Sequence, residues 1–297
     1  MHEYNDIDSS MLISNNNLSV YHGNDNFITE KSLAPFKKKV GHVDVACVPF
    51  AYINYYPYLL NGISKKINKA EAIRLESLFM DYGIMQSKIL KPEIVIPFGS
   101  NLFHLDDPKC DMNKGVATPV DFVNYAKIKH KQQSDKYKTM LSGSFCLKKN
   151  DKISLYYEKI SQKRFDKELV KFTNKKKQLS KKVKTIKKVP ITKNKLEFIR
   201  NKIKLNSNKI DHNIVISKKS NSKEKIIINL KTNNVICRYQ TTIPENCHYF
   251  IVQDNEFNLW LNNKITFEEV LGTRRFRYNR NPNIYRVEIN QIYTNFL

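Results

Sequence analysis

The chain has 297 residues, 41% of them hydrophobic, and a formal net charge of +23. That length can bury a sizeable core in one large domain or two smaller ones, which excludes a peptide-sized binder. No run of eighteen apolar residues occurs, and the start, MHEYNDIDSS, lacks the basic-then-apolar order of a secretory signal, so no transmembrane segment and a cytoplasmic location are the expectations.

The charge is unevenly placed. Residues 1–126 carry 12 Lys/Arg against 14 Asp/Glu, residues 127–225 carry 31 against 8, and residues 226–297 carry 8 against 6. Only 9 of the 51 basic residues are Arg, and Lys lacks the planar fork that grips phosphates or base edges bidentately. The excess therefore suggests solvated lysine faces first and nucleic-acid binding second. Five cysteines, Cys47, Cys110, Cys146, Cys237 and Cys247, are widely spaced without a CxxC pair, which argues against a disulfide framework and against a zinc ribbon.

In chain order, Leu18 to Tyr21 reads as a short strand ending at Gly23. Phe27 to Lys39 suggests a helical turn or two limited by Pro35. Val43 to Phe50 is a buried strand closed by proline, and Asn68 to Lys88 a helix with Ala72, Leu75, Phe79 and Tyr82 on one stripe. Ile94 to Phe98 is a second buried strand. This alternation predicts a layered α/β unit with its active loops at strand ends. Residues 127–212 read as basic helices, with Leu155, Ile160, Phe165, Leu169 and Phe172 as an imperfect stripe, a break at Pro190, and a second piece from Lys193 to Leu205. From Asn213 the period becomes that of strands, at Ile214–Ile216, Lys225–Leu230 and Val235–Tyr239, then Tyr249–Val252 and a last helical piece from Thr266 to Leu271. Three regions result: 1–126, 127–212 and 213–297.

Four pieces in order, YHGNDNF (Tyr21 to Phe27), HVDVACVPFAY (His42 to Tyr52), KPEIVIPFGSNLFHLDD (Lys91 to Asp107) and DMNKGVATPVDF (Asp111 to Phe122), resemble the C-terminal half of a metallo-β-lactamase-fold protein. The likeness is to the subgroup of CMP-N-acetylneuraminate hydroxylase and the ascorbate-6-phosphate lactonase-type hydrolases. The tail, Ile265 to Leu271 with Arg274 to Arg277 and Arg280 to Tyr285, is similar to that of such proteins. The resemblance implies a partial αββα sandwich, followed by a Lys-rich helical segment and a small α+β domain. It implies Asp25 as a metal ligand, with His22 and His104 as further candidates, a zinc or iron ion, and a small phosphorylated or nucleotide-sugar substrate.

The departures are specific. The HxHxDH signature occurs nowhere, only 24 residues precede Asp25, and Phe98-Gly99-Ser100 stands where the hydrolases have a final histidine. A catalytic ion needs about three protein ligands and an open position, so the isolated chain is expected to be inactive, with a separately encoded N-terminal half or a second copy as partner. Local chemistry offers other roles. Asp25 suits an Asx turn after Gly23, His22 and His42 suit strand ends, and His104 beside Asp106 and Asp107 suits a polar loop. Arg274, Arg275, Arg277 and Arg280 are candidates for holding a phosphate or nucleotide, or for contacts to acidic loops. The alternative from a different class is a non-enzymatic basic protein binding nucleic acid or another polyanion through 127–225.

Overall fold

The computed structural model describes residues 9–25, 28–52, 56–99, 117–140, 143–157, 161–180, 189–204, 210–284 and 286–295. It is a mixed α/β chain that divides into two compact units, one of 1–54 with 66–180 and one of 55–65 with 181–297.

The first unit is built on a four-stranded sheet in the order β1 (Met11–Ser14), β2 (Ser19–His22), β3 (Val45–Pro49), β4 (Ile94–Phe98). β1 and β2 are antiparallel, whereas β2, β3 and β4 run parallel. Parallel neighbours require crossovers, and α1 (Glu30–Val40) and α2 (Lys65–Leu90) supply them. The expected strand, helix, strand, longer helix, strand order is present. Pro35 sits inside the 11-residue α1 instead of confining it to a turn or two, and Gly41 at φ 72° ends the helix. A third helix, α3 (Pro119–Lys129), starts at a capping box in which Thr118 and Asp121 satisfy each other's backbone amides.

Strand alternation divides this sheet into two unlike faces. Tyr21, Ala46, Val48 and Val95 are buried in one cluster with Leu33 of α1, Met80 and Ile84 of α2 and Phe122 of α3. Gly83 of α2 permits the tight approach, since a methyl there would lie 2.9 Å from the Phe122 ring and 3.0 Å from the Pro49 carbonyl oxygen. Register places Met11, Ile13, Val20, His22, Val45, Cys47, Pro49, Ile94, Ile96 and Phe98 on the opposite face. Val45, Pro49 and Ile94 are buried there, the others from β2–β4 are half-buried, and Met11 and Ile13 of β1 are 52% and 60% exposed.

The helical reading of 127–212 is corrected here. Residues Phe145–Lys149 (β5) and Lys152–Tyr156 (β6) form an antiparallel two-stranded ribbon, so Leu155 belongs to a strand. Its turn residues Asn150 and Asp151 both have positive φ, 49° and 59°, as a tight primed hairpin turn requires. A helix, α4 (Gln162–Ser180), follows in the same unit, and the segment after it falls to the second unit, so the boundaries at 126 and 212 do not coincide with the compact units.

In the second unit α5 (Lys193–Lys204) precedes a five-stranded sheet in the order β11 (Phe276–Asn281), β10 (Cys247–Val252), β7 (Asn213–Lys218), β8 (Glu224–Asn229), β9 (Asn234–Tyr239). Only β10 and β7 are parallel. The helices α6 (Asp254–Leu261), α7 (Phe267–Thr273) and α8 (Val287–Asn295) contribute the buried Phe257, Trp260, Phe267, Leu271 and Ile289, with Phe250 edge-on to Phe267 at 5.2 Å. α7 opens with a second capping box, Thr266 with Glu269. No helix among the described residues is long and apolar enough to cross a membrane.

Candidate metal corner and the polar clusters around it

Parallel strands present their carboxyl ends on one edge, the place where α/β sheets bind ligands. Here that edge carries the turn His22-Gly23-Asn24-Asp25, Pro49, and Phe98-Gly99. Gly23 is pinned by its amide to the Cys47 carbonyl at 2.9 Å, and a methyl on it would meet the Pro49 ring at 2.7 Å. Only glycine allows the turn to lie this close. Asn24 follows at φ 50°, and the exposed Asp25 is aimed at the strand-four loop, its Oδ1 3.7 Å from where a Cβ of Gly99 would stand. His22 uses Nδ1 to accept the Asn24 amide at 3.2 Å and packs its ring edge-on to Phe98 at 4.2 Å. Beneath the turn, Gln86 of α2 is fully buried, and neither its Oε1 nor its Nε2 has a partner among the described residues.

Among the described residues this edge does not offer a full ligand set for a catalytic ion: Asp25 and the remaining nitrogen of His22 are the donors there, and His104 lies outside the described residues.

The group with the best formal geometry for a cation stands at the opposite, amino ends of β3 and β4. Ligand atoms of His42, Asp44 and Glu93 fall within 4.8 Å of one another. Its centre is already filled by charge. Lys148 of the ribbon donates to Asp44 Oδ1 at 2.7 Å, His42 Nε2 lies 3.1 Å from the same oxygen, and Asp44 Oδ2 accepts the Ser19 amide and hydroxyl at 2.6 and 2.9 Å. Burial would raise the Asp44 carboxyl, but Lys148, Ser19 and His42 outweigh it and hold the group at about 2. We read this cluster as the joint that fastens the ribbon to the sheet.

The four candidate arginines have divided roles. Arg274 is buried in the left-handed conformation at the end of α7, Arg275 pairs with Glu256 at 3.0 Å, and Arg277 donates to the Tyr58 carbonyl at 2.7 Å. Arg280 lies over the rings of Tyr56 and Tyr278 at 5.2 and 5.8 Å. Arg277 and Arg280 stand on opposite sides of β11, an arrangement that gives them no common phosphate.

A polar cluster that the sequence did not announce lies at the end of the second sheet. His212 and His248 are each 2% exposed with ring centroids 5.0 Å apart. Burial first, then Arg286, lowers His212 to about 4, against the opposing pull of Glu288 and Asp211. Burial, His212, Arg280 and Arg286 lower His248 to about 3. Both rings are neutral at physiological pH. Clefts of about 440 and 450 Å³ lie elsewhere, one lined by Lys195, Lys202 and Trp260, the other by Asp81, Lys88 and Lys129, and neither includes Asp25. Comparison with protein-family models, with curated proteins and with solved structures finds no match to this chain.

Proposed function

We propose that this chain supplies one half of a metallo-β-lactamase-like metalloprotein, and that a second β-sheet from outside these 297 residues completes it. The observation that carries this reading is the apolar strip of β1, Met11 and Ile13, left exposed on the sheet face away from the helices. Helices bury one side of β1–β4; on the other, Val45 and Ile94 are buried, Val20, His22, Cys47, Ile96 and Phe98 are half-buried, and the exposure lies at the β1 edge. A sheet with helices on one face and an exposed apolar edge on the other is compatible with one half of a layered sandwich, in which a second sheet would cover that edge.

Asp25 stands at the carboxyl-end edge of that sheet, where ligands from an apposed sheet would meet it, and Gln86 beneath has no hydrogen-bond partner among the described residues. The completed site would hold zinc or iron through Asp25 and histidines of the second sheet. Its chemistry would be metal-dependent hydrolysis or oxygenation of a small phosphorylated or nucleotide-sugar substrate. This chain's own contribution is narrower: it positions one carboxylate through the Gly23 turn and the Gly99 loop, and it excludes water from below through α2.

Metal content tests the reading. Purified, tag-free chain is expected to carry well under one equivalent of transition metal by plasma mass spectrometry and to leave phosphoester substrates intact. One equivalent of metal retained by the isolated chain, lost in Asp25→Ala and accompanied by turnover, would contradict the need for a second half.

A further inference from the structure

The lysine excess plays no part in the metal corner, and the β5–β6 ribbon gives it a place. Strand alternation sends Cys146, Lys148, Ile153 and Leu155 to the half-buried side, where Lys148 is tied to Asp44. The other side carries Phe145, Leu147 and Lys149 opposite Tyr156, Ser154 and Lys152. Phe145, Leu147 and Tyr156 are 56%, 50% and 51% exposed, and the rings of Phe145 and Tyr156 stack at 4.7 Å with 15° between their planes. Three large apolar side chains half in water on a two-stranded ribbon are a poor solution for a surface with no ligand. Among the described residues of the two strands no carboxylate shares that side, and from 145 to 180 there are 11 Lys/Arg against 4 Asp/Glu.

We propose that this outer side of the ribbon is a stacking platform for single-stranded nucleic acid. The aromatic pair offers an aligned π surface on which unpaired bases continue the stack. Lys149 and Lys152 stand about 13 Å further along the strands, within reach of the same backbone's phosphates. A duplex keeps its base faces covered, so a flat ring pair selects single strands. Lysine in place of arginine neutralises phosphates as a point charge and reads no base edge, so the platform tolerates any sequence. The lysine bias that weakened the case for base reading is the composition that sequence-tolerant binding needs.

The site is independent of the metal corner and is tested separately. Fluorescence anisotropy with a labelled oligothymidylate of about 12 nucleotides, titrated with the full chain from about 50 to 200 mM salt, gives affinity and salt slope. Phe145→Ala with Tyr156→Ala is expected to weaken binding about tenfold or more with an unchanged circular dichroism spectrum, because both rings are exposed. Lys149→Ala with Lys152→Ala is expected to flatten the slope of log affinity against log salt by about 1.4, two phosphate contacts' worth. Unchanged affinity in the aromatic variant would overturn the proposal in favour of diffuse polycation binding. Capture of anionic phosphatidylserine vesicles with no oligonucleotide binding would overturn it in favour of a membrane surface.

Discussion

The buried histidines of the second unit make its stability depend on pH with a definite sign. The unfolded chain protonates His212 and His248 near the ordinary imidazole value of 6.5, while the folded unit resists until about 4 and 3. Stability is therefore fully present above about 6.5 and declines as pH falls through that window, at up to about 1.4 kcal/mol per pH unit for each ring. The urea midpoint of the second unit is expected to fall between pH 7 and pH 5, and His248→Leu to reduce that fall. A midpoint unchanged between the two pH values would contradict the burial of the pair. Part of this was legible: His248 alternates with Phe250 and Val252 at the inward positions of a strand. Its contact with His212 was not, because it depends on the parallel pairing of β7 with β10, which only the folded sheet creates. For the arginines the sequence leaves two roles open, an anion site or contacts with acidic groups; Arg275 pairs with Glu256, while strand alternation and separate partners at Tyr58 and Tyr56 divide Arg277 from Arg280.

Helices and strands with strong local signals were readable: the β-branched runs that became β3 and β4, the long α2, and the period-two strands of the second sheet. The ribbon escaped because Leu155 lines up loosely, within lysine-rich sequence, with Phe165, Leu169 and Phe172, which alone keep helical spacing, although Asn150-Asp151 between two short alternating runs was the hairpin signal. The Asp44–Lys148 pair spans 104 positions and has no local signature. Asp44→Ala is expected to lower the stability of the first unit measurably, since it leaves Lys148 and the Ser19 amide without their acceptor. A change below about 0.5 kcal/mol in chemical denaturation would show the joint to be a surface pair. For α2, Gly83→Ala sets a propensity gain of up to about 1 kcal/mol against overpacking of about 1–3 kcal/mol. The Pro49 carbonyl oxygen at 3.0 Å is backbone and yields little, so net destabilisation is expected. A raised unfolding midpoint would contradict the tight crossing of α2 over β3.

The second unit has a covered core, and the first unit's sheet has helices on one face and, on the other, buried Val45 and Ile94 beside the exposed Met11 and Ile13 of β1. The sequence carried the chain order of β2, α1, β3, α2 and β4 and the Gly-Asn-Asp corner, but not β1. It could not carry the exposure of β1, because exposure belongs to what packs on a strand, whereas the apolar residues on both faces of β3 and β4 are buried or half-buried, as in a parallel sheet covered on both sides. The need of this exposed apolar edge for a second sheet is the central claim, and light scattering with an apolar-surface dye on the isolated chain tests it most directly. The wild-type chain is expected to self-associate or bind the dye. Met11→Lys with Ile13→Lys is expected to reduce both, with an unfolding midpoint within about 0.5 kcal/mol, as expected for half-exposed positions. A monomeric, dye-free wild type, or a lysine variant that unfolds, would mean that the edge is already covered and that the chain is not awaiting a second sheet.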